Sequence, residues 1–255
     1  MNDDFSHPLL VFTLSIVVLW LSAWIASSVV KWRQNLEEEA REDFGLITGA
    51  TLTLLALLIG FSFSMAIARY DQRKNCEEAE ANAIGTEVVR AGLLPPAAAA
   101  AVRTQLSNYL EQRILFYITR DRRQLAEINT RTAQLQSDLW SAVQTIATAQ
   151  PNPIVALAVA GMNDVLNSQG YTQAAWRNRI PHAAWGLMTL IAICCNLLIG
   201  YGARDTRVRG ILLLILPLIV STAFLLIADM DSPRGGLIRV YPVNLLSLAT
   251  SLPPH

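Results

Sequence analysis

The chain has 255 residues, 53% of them hydrophobic and 16% charged, and its 20 basic and 20 acidic side chains cancel to a formal net charge of zero. Soluble globular chains carry about 25% charged and about 45–50% apolar residues, so a mean hydropathy of +0.35 requires apolar runs lodged in lipid and excludes a disordered chain. Zero net charge also removes the attraction on which nucleic-acid binding rests.

A helix crosses roughly 30 Å of hydrocarbon with about 20 apolar residues, because backbone polar groups left unpaired in lipid are costly. Four stretches qualify: residues 9–30, 44–68, 183–201 and 211–228. The first contains Trp20 and Trp24 and exits through Lys31, Trp32 and Arg33, an interfacial anchor. Asp3 and Asp4 stand where a signal peptide has basic residues, and the apolar run is too long for one, so the segment reads as a retained span. The link that follows carries Glu37, Glu38, Glu39, Arg41, Glu42 and Asp43, a solvated face.

The second span ends at Arg69 and Tyr70. Its small residues Gly49, Gly60, Ser62 and Ser64 suit close helix approach in lipid. Residues 69–182 hold twelve of the basic and ten of the acidic residues and form an aqueous insert that reads as helical throughout. The second helix is expected to continue to Ala91, with a break at Pro95 and Pro96 where the next begins. There Val102, Leu106, Tyr109, Leu110, Ile114 and Tyr117 fall three or four apart. After Arg120–Arg123 the pattern resumes as Leu125, Ile128, Thr132, Leu135, Leu139, Val143 and Ile146, close to a heptad seam. Packing within the chain is its first reading and a neighbouring subunit the alternative. Pro151-Asn152-Pro153 ends that helix, and a last one runs to the Ile180-Pro181 step.

In the third span Asn196 is expected to bond a neighbouring helix and Cys194 and Cys195 to be small buried side chains. Pro217 should kink the fourth. The tail, residues 229–255, offers strand-like alternation only over 236–243. The fold class is therefore all-α, an integral membrane protein of two helical hairpins with a helical insert between spans two and three. Three cysteines and three scattered histidines form no disulfide framework or zinc spacing, so no metal or cofactor is expected. No hydrolase elbow, Walker loop, H-E-x-x-H or dinucleotide fingerprint is present, and the chain does not read as an enzyme.

Leu58-Ile59-Gly60-Phe61 followed by Ser62-Phe63-Ser64-Met65-Ala66-Ile67-Ala68-Arg69-Tyr70 resembles the pore helix of bestrophins, where a Gly-Phe pair precedes Arg and an aromatic residue. Ile180-Pro181-His182-Ala183-Ala184-Trp185 is similar to the opening of the bestrophin third span. Asp229-Met230-Asp231-Ser232-Pro233-Arg234-Gly235 resembles the segment after the fourth, ending in Asn-Pro-Phe-Gly there. In order, these matches cover most of the chain and point to the bacterial bestrophin-like group. Gly60, Tyr70, Pro181, Pro233 and Gly235 are then family-motif structural positions.

The resemblance implies a homopentameric anion channel in the lipid bilayer, its pore lined by the second span. It places the neck at Thr53, Leu57 and Phe61, and i, i+4, i+8 spacing sets these on one helix face. Rings of Leu57 and Phe61 would gate by dewetting, while Thr53 departs from the apolar residue usual there. Arg69, Arg73 and Lys74 become candidate pore-mouth charges, with interfacial anchoring as their other reading and Asp71, Glu77, Glu78 and Glu80 diluting the field. Asp229 and Asp231 fall short of a calcium site and are expected to pair with Arg234 or Arg239.

Basic residues in the short links, Lys31, Arg33, Arg41, Arg204, Arg207 and Arg209, put the links inside by the positive-inside rule. Arg69, Arg73, Lys74, Arg177 and Arg179 beside the insert, with Arg234 and Arg239, nearly cancel that bias. The resemblance then tips the insert to the cytoplasmic side of a bacterial inner membrane. The alternative function is a non-conducting scaffold or sensor whose insert binds a partner or ligand.

Overall fold

A computed structural model of the chain describes residues 8–29, 38–202 and 209–252. Lys31, Trp32, Arg33, Glu37, Arg204 and Arg207 lie outside the described residues. Among those described there are eight helices and no strand: α1 (Pro8–Val29), α2 (Glu38–Ala91), α3 (Pro96–Ile118), α4 (Arg122–Ala149), α5 (Pro153–Arg177), α6 (His182–Gly202), α7 (Arg209–Asp231) and α8 (Val243–Ser251). Four stretches are long and apolar enough to cross a membrane: α1, α2, the α5–α6 stretch Pro153–Gly202, and α7. The helices divide between two compact units, joined through α2 and through residues 178–179 and 239–240.

The first unit holds α1, the first part of α2, α6 and α7. Lipid tails are as apolar as leucine, so these helices associate through close packing. Leu19, Leu55, Ala66, Trp185, Met188, Cys195, Phe224 and Ile227 form the core, with the Trp185 and Phe224 rings edge to face at 5.8 Å. α1 and α6 cross where Gly200 meets the Ala23 backbone, and a Cβ on Gly200 would overlap the Ala23 carbonyl. Asn196 donates to Ala192 O of its own helix at 2.8 Å rather than across to a neighbour. That bond satisfies its donor locally, as short polar side chains in helices readily do. Cys195 is buried as expected, whereas Cys194, one residue round the helix, is exposed. Pro217 lies inside α7.

The second unit contains the rest of α2 with α3, α4, α5 and α8. Its helices start where local chemistry allows. Pro96 and Pro153 occupy first-turn positions, where a missing N–H is tolerated. The Asp121 carboxylate accepts from Arg123 N and Gln124 N at the start of α4, and Asn152 Oδ1 accepts from Ile154 N and Val155 N at the start of α5. The α4 seam of Ile128, Thr132, Leu135, Leu139 and Val143 is buried within the chain.

No strand forms over residues 236–243, where alternation suggests one, and the tail continues instead as α8, Val243–Ser251. Its first turn lacks a side-chain cap of its own, and Glu77 of α2 supplies one, accepting from Leu245 N at 2.9 Å and Asn244 Nδ2 at 2.6 Å. Leu245 is buried beneath it, and Leu248 lies over Gly85, where a Cβ would come within 3.2 Å. A tertiary cap and two leucines hold a helix too short to stand alone.

Candidate functional site

α2 is the element on which the candidate residues meet. At about 100° per residue, Leu55, Ser62 and Ala66 fall roughly 180–220° round the helix from Thr53, and all three are buried. The same stripe continues with a 4,3,4,3,4 spacing through Arg73, Glu77, Glu80, Ile84, Glu87 and Ala91, every one buried. Thr53, Leu57 and Phe61 lie on the opposite face and are exposed, Leu57 at 53% and Phe61 at 60%. Gly49, Gly60 and Ser64 fall close to that face as well. A Cβ on Gly49 or Gly60 would meet nothing. Only 6% of the apolar window of α2 is buried within the chain, against 44% for α7. The Thr53 hydroxyl donates to Gly49 O at 2.9 Å, leaving its oxygen as an acceptor on this face.

The basic residues at the end of the apolar segment part company. Arg69 pairs with Asp231 at 3.5 Å, Arg73 is buried in the packed stripe, and Lys74 is exposed. The Asp231 carboxylate also accepts from Ile180 N, at 3.0 and 3.2 Å, fixing the entry to α6 beside Pro181. Asp229 accepts from Leu237 N and Ile238 N, both at 2.7 Å. Backbone amides thus replace the arginine partner expected for Asp229, because the chain folds back within eight residues. Gly236 packs on Asp229 so closely that a Cβ would clash with its carbonyl, and Gly235 N donates to Ser232 Oγ at 3.2 Å. Pro233 is buried in this turn, while Gly60, Pro181 and Gly235 are exposed and Tyr70 is half-buried. Among the described residues no three His, Cys, Asp or Glu side chains gather to hold a metal.

A family model described as the bestrophin-like domain matches residues 13–245. The chain belongs to the bestrophin-like family. Its fold is similar to that of a bacterial bestrophin homologue from Klebsiella pneumoniae. One structure of that protein is 15% identical with a TM-score of 0.66 over 94% of this chain and 99% of that one. A tryptophan-to-alanine variant of it is 14% identical, with a TM-score of 0.66 over 94% of this chain and 97% of that one. No curated relative matches the sequence.

In this bestrophin-like chain a second cluster, invisible to hydropathy, lies inside the insert. The Glu80 carboxylate receives Arg113 Nε and Nη2, Tyr117 OH at 3.2 Å and Thr172 Oγ1 at 3.1 Å, so α2, α3 and α5 converge on one buried acid. Arg113 also lies over the Phe116 ring, 4.5 Å from its centre. Burial alone would lower the Arg113 pKa, but Glu80 and the neighbouring tyrosines outweigh it and raise it. Burial first and the Glu80 charge second push the Tyr109 and Tyr117 hydroxyls well above their ordinary range, so both stay protonated. Burial and Glu80 likewise raise the Cys76 thiol, keeping it a poor nucleophile. The signal that would have found this cluster is the heptad spacing of charged residues along α2, which apolar periodicity overlooks.

Proposed function

We propose that this protein is a homopentameric anion channel of the bestrophin type, its pore lined by α2 and its neck formed by Thr53, Leu57 and Phe61. The observation that carries the reading is the open face of α2. A spanning helix with 6% of its apolar window buried packs on its own subunit along one stripe and leaves the opposite face for neighbours and an axis. Small residues there, Gly49, Gly60 and Ser64, let copies approach closely. Five Leu57 and five Phe61 side chains would make stacked apolar collars that close by dewetting, with Thr53 a wetter ring. Lys74 is assigned to the pore mouth, where a ring of ammonium groups concentrates anions at low ionic strength. Arg69 and Arg73 instead hold the helix in place. The protein is assigned to a bacterial inner membrane with the insert cytoplasmic.

The test is conductance of purified protein in planar bilayers. Phe61→Ala with Leu57→Ala should raise anion current at least several-fold, and Lys74→Glu should lower the preference for anions. Silent bilayers for wild type and variants alike, from intact oligomers, would overturn the reading.

A scaffold is the second reading. It is favoured by an open apolar groove of about 470 Å³ between α4 and α5, lined by Trp140, Pro151, Val155 and Val159, beside exposed Ile154 and Leu157. It predicts that Trp140→Ala, at an exposed side chain lining the groove, abolishes a partner contact while no variant of α2 conducts.

A further inference from the structure

Within the insert, the meeting of α2 and α5 encloses a carboxyl group that the packing does not satisfy. Glu87 has no exposed surface, and neither of its oxygens has a hydrogen-bond partner among the described residues. It sits in a cradle made by a missing side chain: a Cβ on Gly161 of α5 would fall on the Glu87 carboxyl and on the Arg90 guanidinium. The charges near it are Arg90 on its own helix and Asp164 of α5. Arg103 of α3 lies one turn further on, spent on Val88 O at 3.2 Å, and α8 brings no titratable group.

An ionised carboxylate enclosed with no hydrogen bond is disfavoured even with the Arg90 guanidinium beside it, because burial outweighs that charge, whereas a neutral carboxyl is tolerated. We propose that Glu87 is a proton-operated latch: protonated, it seats on Gly161 and closes the α2–α5 seam; ionised, it leaves the cradle and the seam loosens. Burial raises its pKa from 4.5, Arg90 draws it back and Asp164 pushes it up again, to about 7. The latch therefore works across the neutral range in which environmental pH varies. It stands independently of whether the protein conducts.

The test is hydrogen exchange of the full chain in detergent at about pH 5.5 and about pH 8.5, corrected for intrinsic rates. Residues 84–91 and 154–165 of wild type should lose protection by at least about tenfold at the higher pH, and Glu87→Gln, a permanently neutral mimic, should stay protected at both. A wild type equally protected at both, or a Glu87→Gln variant with the wild-type pH response, would overturn the latch. An independent reading is the infrared C=O band of a protonated carboxyl, taken as wild type minus Glu87→Gln. It should vanish as pH rises through neutrality, and its absence already in mild acid would equally overturn the proposal.

Discussion

The Arg113 guanidinium closes on the Glu80 carboxylate inside the helical insert, and neither side chain has any surface in contact with water. Tyr117 and Thr172 complete the acid's hydrogen bonds, so Glu80 is satisfied rather than merely neutralised, while Nη1 of Arg113 is buried without a partner among the described residues. Removing one partner of a buried pair costs about 3–5 kcal/mol because the other charge is stranded, while replacing both with apolar groups is often nearly neutral. Arg113→Met should therefore lower the melting midpoint of the purified protein by roughly 10 °C, and Glu80→Met with Arg113→Met should recover much of that loss. A double variant as unstable as the single one would contradict this account.

Glu77 governs the tail. Its carboxylate stands where an N-cap side chain would, receiving Leu245 N and Asn244 Nδ2. Loss of such a cap weakens a helix end by about 1 kcal/mol. Glu77→Ala should expose residues 243–251 to limited proteolysis while leaving the rest of the insert resistant. Uniform resistance would show that Leu245 and Leu248 suffice to hold α8.

The turn after α7 depends on Asp229 in the same way. Asp229→Ala removes the acceptor of two backbone N–H groups, Leu237 N and Ile238 N, on residues open to solvent, so the loss is that of two hydrogen bonds, about 1 kcal/mol each. Asp229→Asn, which can accept but with one oxygen, should fall between. Thermal unfolding of both variants in detergent measures the order, and equal midpoints would show that the turn is held by other contacts.

These acids mark the limit of what the sequence reveals. The helices were legible because their apolar residues recur every three or four positions and because Pro96, Pro153 and Asn152 signal where helices begin. The all-helical class and the α4 seam follow directly from that. Glu77, Glu80 and Glu87 share the same periodicity, yet a charged residue at a seam position reads as solvated until its partner is known, and the partners lie 33 residues away for Arg113 and 168 for Leu245. The helix α8 was missed for the same reason, since its cap comes from another helix. Nor does spacing alone separate Arg73 from Lys74. One residue turns the side chain by about 100°, enough to carry it from the buried stripe to the open side.

The stability of the insert should depend on pH with a definite sign. Glu87 has a folded-state pKa raised to about 7 from an ordinary 4.5, so the folded state binds its proton more tightly than the unfolded chain does. Its contribution is fully present below about pH 4.5 and is lost as pH rises towards and through about 7. Thermal midpoints should accordingly fall over that window in wild type. The fall should be shallower in Glu87→Gln, and parallel curves would remove Glu87 as its source.

The most direct test of the account is single-particle electron microscopy of the purified protein. Five copies arranged about one axis, α2 innermost and the Phe61 rings converging on the centre, are the expected result. A monomer, or an assembly in which Phe61 points outward into lipid, would contradict the central claim.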